Sequence, residues 1–316
     1  DQIAMIFIKN ILIIKIIRDF MDSSSSSSLI YSNYFKSSNL SYRDKRFVTE
    51  VTKGTIRMSK RIDDEIDYYC KSKIEKFEKL YLIILRSAVY QINYMDKTPD
   101  YAAISTSVDI VKRYFPKYSK LTNAILRNIA RKEYSLAKPD KNSKIKDFSI
   151  YYSHPDWIVE KWLKDFGYSR TVEILESNNR TPQTWFRYNE NKIKFSSIKE
   201  VLSKYKQSVS KYKYLSNFFS IDNPSTLLND EIFFNGYISV QSPTNGMIVN
   251  LLNPMENEEI LDICAAPGSK TVNIAERVGD SGKIISYDIN PRRIKFIKEN
   301  LIKNKIKNVQ VLRCDA

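Results

Sequence analysis

The sequence predicts a multidomain chain: an all-α N-terminal domain, a small α+β middle module, and a βαβαβ unit that is the first half of a doubly wound, Rossmann-like sheet. Three observations carry this prediction. Apolar residues recur at helical spacing up to about Lys138, and five of the seven glycines fall between Gly236 and Gly282, where short apolar runs alternate with amphipathic ones. The length of 316 residues allows two or three domains, each with its own core. The expected boundaries are 1–138 for the helical domain, 139–147 for a linker, 148–225 for the middle module and 226–316 for the α/β domain.

The runs Ile3 to Ile8 and Ile11 to Ile17 are strongly apolar, but Lys9, Lys15, Arg18 and Asp19 interrupt them. They fall short of the ~18 to 20 apolar residues that a spanning helix needs. No small-residue cleavage site follows, so a helix of a packed bundle is expected and no membrane association. The chain opens on Asp1, not Met, and its true beginning is expected to be missing. Ser23 to Ser28 reads as a flexible loop. Further on, Leu80, Ile83, Ile84, Ser87, Ala88 and Gln91 share one helical face, as do Ile104, Val108 and Val111, then Leu121, Ile125 and Ile129.

Pro139 and the lysines up to Lys146 cannot bury much, which suits a linker. His154-Pro155-Asp156-Trp157 then opens a helix, with Pro155 where a missing N–H is tolerated and Gly167 as its expected end. Thr184 to Tyr188 and Lys192 to Phe195 read as strands. In the last region Ile260 to Cys264, Lys283 to Asp288 and Val309 to Cys314 are expected strands, and Lys270 to Val278 and Pro291 to Lys303 the helices between them.

Fifty-one Lys+Arg against 36 Asp+Glu leave a formal charge of +15. Residues 226–316 hold 11 of each sign, so the whole surplus, 40 basic against 25 acidic, lies in the first 225 residues. Lysine-rich faces are often merely solvated, but a surplus confined to the helical and middle regions suits a phosphate-binding platform, because each cation near a phosphate releases counterions. Cys70, Cys264 and Cys314 are too few and too far apart for a disulfide framework or a Cys-x-x-Cys metal site. A reducing, cytoplasmic setting, no metal and a monomer are expected.

The segment Leu261-Asp262-Ile263-Cys264-Ala265-Ala266-Pro267-Gly268-Ser269-Lys270-Thr271 lies where a strand turns into a helix, the place where open α/β sheets bind ligands. Its single glycine disfavours a dinucleotide fingerprint and excludes a P-loop. Ala265, Ala266, Pro267 and Gly268 instead form a small-walled, stiff turn against which a ligand can lie. Asp288, at the end of the second strand, can accept hydrogen bonds from two ribose hydroxyls, and Asp315, after the third, from an exocyclic amino group. An adenosine with an uncharged or zwitterionic tail fits that pocket, and S-adenosylmethionine is such a molecule.

Asp262 to Thr271 resembles the Asp-x-Cys-Ala-Ala-Pro-Gly-x-Lys-Thr signature of the RNA cytosine-5 methyltransferases, and Gly236 to Gln241 resembles the segment before it in that family. Ser153 to Trp157, Thr49 to Arg57, Ser87 to Gln91 and Leu121 to Arg127 resemble the RsmB (Sun/Fmu) branch, whose N-terminal domain is similar to the antitermination factor NusB. The resemblance covers nearly the entire chain. It implies methylation of a cytosine at carbon 5 in 16S ribosomal RNA, with an RNA-binding NusB-like domain, an RNA-binding middle module and a Rossmann-like S-adenosylmethionine domain. It also implies that Cys264, Ala265, Ala266, Pro267, Gly268, Ser269, Lys270, Asp288 and Asp315 line the cofactor site. Ser269 replaces the second glycine usual in the signature, a small change at the start of a helix.

In that family a cysteine thiolate adds to carbon 6 of the base. The nucleophile and a second cysteine, the latter in a Pro-Cys pair, lie after the fourth and fifth strands; no Pro-Cys pair occurs here. The nucleophile is therefore expected beyond Ala316, in a chain incomplete at its C-terminus and inactive alone. Cys264 is expected to pack under the sheet edge, Cys314 and Cys70 to be core, and His154 to be a packing residue. In the family's strand order a fourth strand pairs with the first, so Ile260 to Cys264 is expected to keep an open edge and the isolated chain to be poorly soluble or to fold only its N-terminal domain. The competing expectation is a NusB-like, transcription-regulatory RNA adaptor carrying an inactive methyltransferase remnant. A small-molecule methyltransferase would leave the basic upstream regions without a purpose.

Overall fold

A computed structural model describes residues 2–23, 27–36, 38–70 and 73–315. The chain divides into two compact units, Asp1–Thr181 and Pro182–Ala316.

The first unit is helical: α1 (Gln2–Asp22), α2 (Ser27–Lys36), α3 (Tyr42–Arg57), α4 (Ser59–Tyr69), α5 (Lys79–Tyr94), α6 (Asp100–Tyr114), α7 (Ser119–Ala130), α8 (Ile145–Tyr151) and α9 (Asp156–Asn179). The helix α5 is buried on most of its circumference, with Tyr81, Ile83, Ile84, Leu85, Ala88, Val89 and Ile92 inside, so it is the axis around which α1, α3, α6 and α7 pack. A fully buried Ile or Leu of this kind contributes roughly 1.5–3 kcal/mol. Polar groups on the buried side are paired: Gln91 Nε2 donates to Asn10 Oδ1 at 2.9 Å, and the Tyr81 and Thr122 hydroxyls lie 3.0 Å apart. At the start of α3 the Ser41 hydroxyl accepts from the Asp44 N–H at 3.2 Å. Hydrogen bonds from Ser41 and then Lys9 hold the Asp44 carboxyl below the usual carboxylate range.

Of three expectations for this unit one is corrected, one holds in part and one is met. Ser27 and Ser28 open α2 instead of continuing a loop, while Ser24, Ser25 and Ser26 of the expected loop lie outside the described residues. On α6 the expected Ile104, Val108 and Val111 line holds at Val111, which is fully buried, and in part at Ile104, which packs on the core, while Ala103, Ser107 and Ile110 are the other buried positions. Small Ala103 and Ser107 let the helix approach α5 closely, a packing effect that hydrophobicity alone does not show. Finally, Gly167 ends the helix opened at Pro155, as expected: it adopts φ 71°, ψ 179°, so that α9 is two helices joined at this kink, the second of which buries Thr171 and Leu175, Leu175 against Phe148, Tyr152 and Val159.

Helices α8 and α9 are held to α4 by a polar network. Lys60 Nζ donates to Ser149 Oγ at 2.7 Å and pairs with Asp156, the Ser153 hydroxyl accepts from the Lys60 N–H at 3.2 Å, and Arg61 lies over the Tyr151 ring at 4.9 Å. The boundary between the two compact units falls at Thr181–Pro182, just before β1.

The second unit begins with β1 (Trp185–Tyr188), α10 (Phe195–Lys204), β2 (Val209–Lys211), β3 (Phe218–Ile221), α11 (Ser225–Leu228), α12 (Glu231–Phe234), β4 (Ile238–Val240) and α13 (Pro243–Leu252). The strands form an antiparallel sheet in the order β2-β3-β1-β4, with Phe186 opposite both Phe219 and Val240. One face buries Phe186, Tyr188, Phe219, Ile221 and Ile238 against Ile198 and Leu202 of α10. The strand expected over Lys192 to Phe195 is absent. Asn189 Oδ1 accepts from the Asn191 N–H at 2.9 Å, forming an Asx turn that leads directly into α10.

Next come β5 (Glu259–Asp262), α14 (Ser269–Val278), β6 (Lys283–Tyr287), α15 (Pro291–Asn304) and β7 (Val309–Leu312), a parallel sheet in the order β5-β6-β7 with β5 at one edge. Its core consists of two adjoining clusters, one of Ile284 with Val249, Ile274, Ala275 and Val278, the other of Ala265, Val272, Ile297 and Leu301. Parallel strands place their C-terminal ends on one side, which brings the turn after β5 beside the ends of β6 and β7. Side chains tie this sheet's helices to the antiparallel one: Lys192 Nζ donates to the Asn304 carbonyl at 2.8 Å, and Asn273 Nδ2 to Gln241 Oε1 at 3.3 Å.

Candidate functional site

The turn after β5 owes its shape to hydrogen bonds from both sides. The Ala265 N–H donates to the Tyr287 carbonyl at 3.0 Å, which anchors the turn to the end of β6. The Gly268 N–H then closes onto the Ala265 carbonyl at 2.7 Å around a cis Ala266–Pro267 bond, and Asn300 Nδ2 donates to the Pro267 carbonyl at 2.8 Å. Gly268 caps α14 with φ 98°, a value that L side chains rarely adopt. A Cβ built there would stand 3.1 Å from Ile297 Cα, so the turn lies directly against α15 and has no room behind it.

Asp288 is drawn into the same unit. Its Oδ2 accepts from the Ala266 N–H at 3.3 Å and its Oδ1 from the Asn290 N–H at 2.9 Å. A carboxylate offers about four lone-pair positions, so one on each oxygen remains for a ligand. Asp315 follows β7 at the same end of the sheet and is exposed. Six of the nine expected site residues, Ala265 through Lys270, thus form one turn bonded to Asp288, while Cys264 and Asp315 are exposed.

Two positions differ from expectation. Cys264 is exposed, since β5 ends at Asp262 and the turn carries the thiol outward instead of under the sheet. Cys314 is exposed because β7 ends at Leu312. Cys70 is half-buried against the helical core. His154, outside this site, has Nδ1 2.6 Å from the Tyr152 carbonyl, and burial lowers its pKa.

Two residues of the motif carry more than the sequence reading assigned them. Asp262 is buried and accepts from the Thr271 hydroxyl at 2.8 Å, stapling the end of β5 to the first turn of α14. Lys270 turns inward: Nζ donates to the Cys264 carbonyl at 3.1 Å and lies 3.8 Å from Asp262 Oδ1. The signal for Asp262 was an acid at the end of an otherwise apolar strand. For Asn300 nothing in the local pattern distinguished it from other polar positions on α15.

This arrangement tests which ligand fits. A pyrophosphate needs several glycines and an available cation, whereas here there is one glycine and the lysine is engaged within the turn. A small-walled cradle bordered by a carboxylate with free lone pairs fits a ribose and an uncharged or zwitterionic tail. Among the described residues no group of three or more His, Cys, Asp or Glu could hold a metal ion, and no helix is long and apolar enough to cross a membrane.

Comparison with known proteins places three family models along the chain: the NusB family over residues 8–131, the ferredoxin-like domain of RsmF/B-like methyltransferases over 154–227, and the 16S rRNA methyltransferase RsmB/F over 249–316. The chain is 28% identical over 277 residues to the probable ribosomal RNA small subunit methyltransferase B of Bacillus subtilis, covering 86% of this chain and 61% of that protein. It is 26% identical over 290 residues to ribosomal RNA small subunit methyltransferase B of Yersinia pestis, covering 91% and 65%. The chain therefore spans less than two thirds of the length of these relatives. Its fold is similar to the crystal structure of PH0851, with a TM-score of 0.72 and 23% identity over 97% of this chain and 69% of that one.

Proposed function

Because the chain belongs to the RsmB/F family of 16S rRNA methyltransferases, we propose that it binds S-adenosylmethionine in the turn after β5 and serves methylation of carbon 5 of a cytosine in 16S ribosomal RNA. The observation that carries this reading is the joining of the Ala265–Lys270 turn to Asp288 through the Ala266 N–H. Ala265, Ala266, Pro267 and Gly268 would let the ligand lie against the backbone, and Cys264, Ser269 and Lys270 would border it. Asp288 would accept from the ribose hydroxyls and Asp315 from the adenine amino group. When bound, S-adenosylmethionine supplies an electrophilic methyl group on a sulfonium.

The contribution of this chain is binding and orientation. Asp262 and Thr271 hold the turn in place, Asn300 fixes its far side, and Ile297 stops it from retreating, so the cradle is formed before a ligand arrives. None of Cys70, Cys264 and Cys314 is assigned the attack on carbon 6. A target cytosine would have to be unstacked to reach the site. The basic upstream regions would hold the RNA. In the helical unit, Lys9, Arg43, Lys45, Arg46 and Lys97 line a cavity of about 1040 Å³ together with Asp44, Glu50, Phe35, Tyr42 and Phe47; Lys9 is paired with Asp44, and the other four cations beside the rings suit phosphates and bases.

The test is transfer of labelled methyl from S-adenosylmethionine to 16S RNA by the intact protein, with the product base identified. Label at carbon 5 of one cytosine is the expected result. RNA binding without transfer would favour the adaptor reading, and label on protein or DNA alone would overturn the assignment.

A further inference from the structure

The second unit presents a chain of aromatic rings that the cofactor site does not use. Trp185 on β1 and Tyr212, just past the edge strand β2, have ring centroids 5.2 Å apart at 80°, and Tyr212 and Tyr214 follow at 5.9 Å and 72°. The backbone explains the display. Phe186 and Tyr188 face α10, so Trp185 points to the opposite face, and Tyr212 is kept in line by its N–H bond to the Phe218 carbonyl at 3.0 Å. Tyr214, at the end of the run, is 66% exposed. Each edge-to-face contact covers one ring face and leaves the opposite face outside it; Trp185 and Tyr212 are half-buried, and Lys213 Nζ stands 5.3 Å from the Tyr214 centroid.

The electrostatic setting is one-sided. Between Lys192 and Tyr214 the sequence holds seven lysines and one acid, Glu200. Lys199 and Lys211 lie over Phe195, and none of the seven has a carboxylate partner among the described residues. Lysines on an edge strand also discourage edge-to-edge pairing. That accounts for Lys211 but not for the exposed Tyr214, which increases the hazard that edge lysines reduce.

We propose that Trp185, Tyr212 and Tyr214 form a stacking platform for unpaired RNA bases, with Lys213 and its neighbouring lysines holding the backbone phosphates. The proposal rests on the reading of the protein as a ribosomal RNA methyltransferase and specifies how the middle module grips that substrate. Aromatic faces accept any base, so the platform favours single strands over duplex without reading sequence. An acidic peptide would satisfy the lysines but leave the rings unused.

The experiment measures binding of the chain to a short oligouridylate and to an abasic ribose-phosphate strand of equal length. The Tyr212→Ala/Tyr214→Ala variant is expected to lose roughly tenfold per ring on oligouridylate, with little change on the abasic strand. The Tyr212→Phe/Tyr214→Phe variant, which keeps both ring faces, is expected to bind like the parent. Lys213→Ala should weaken both ligands and lower the salt dependence by about one phosphate contact. Equal losses on both strands, no loss in the alanine variant, or displacement of the RNA by polyglutamate at equal charge would overturn the platform. S-adenosylhomocysteine binding, measured on the same samples, separates the two claims. Its absence from the parent chain would count against the methyltransferase reading while leaving the base-dependent loss to be read by itself.

Discussion

Arg187 and Glu276 meet at 2.6 Å with only 4% and 6% of their side chains exposed, so the middle of the antiparallel sheet is pinned to α14, the helix that follows the turn after β5. The approach is a charge contact and not a full network, since Arg187 Nε and both Glu276 oxygens lack an aligned hydrogen-bond partner among the described residues. Removing one partner leaves a buried charge alone. Arg187→Met or Glu276→Leu is therefore expected to destabilise the second unit by about 3–5 kcal/mol, whereas the double replacement is neutral or stabilising. Denaturant melts of the three variants check this; equal losses for single and double changes would contradict it.

Gly268→Ala should damage the turn after β5 specifically. The position has φ 98°, and the new methyl would press on the backbone of α15 at Ile297. Strain of about 1–3 kcal/mol is expected, together with weaker S-adenosylhomocysteine affinity in calorimetry. A variant that melts and binds like the parent would show that the turn is not closely seated.

Gly54→Ala sets two effects against each other. Alanine favours a helix by about 1 kcal/mol over glycine. A Cβ at this position would lie 1.9 Å from Tyr90 Cζ, however, in a ring whose hydroxyl donates to Glu50 at 2.8 Å. The clash wins, with a net loss of about 1–3 kcal/mol. Adding Tyr90→Leu should recover part of it in thermal melts.

The sequence made the α/β half legible because its signals are local. A lone glycine after a small-walled turn, an acid at the end of β6 and the 2-to-3.6 switch in apolar period all sit within a few residues of what they determine. Long-range pairing was not readable in the same way. Nothing near Lys60 announces that it will hold Ser149 and Asp156, and nothing near Gly167 shows that a second helix follows at once and buries Leu175. Cys264 was misplaced for a related reason: apolar character continued through Ile263, but pairing with β6 stops at Asp262 and the thiol leaves the sheet.

Glu65 gives the helical unit a pH dependence. Burial pushes its carboxyl from 4.5 up to about 7, opposed by the Asn93 amide, which donates at 2.6 Å, and by Arg61. Below the unfolded value both states are protonated. As pH rises from 4.5 towards 7 the unfolded chain loses its proton first, so stability falls through that window and levels off above it. The span corresponds to roughly 3 kcal/mol at most. Glu65→Gln should flatten the fall in melting temperature between pH 5 and 8, and an unchanged slope would contradict this origin.

The most direct measurement is calorimetric titration of the chain with S-adenosylhomocysteine, beside Asp288→Ala and with NAD as control. Saturable binding by the parent, lost in Asp288→Ala and absent for NAD, is the predicted result. No heat from the parent, or equal binding by the variant, would contradict the assignment of the turn after β5.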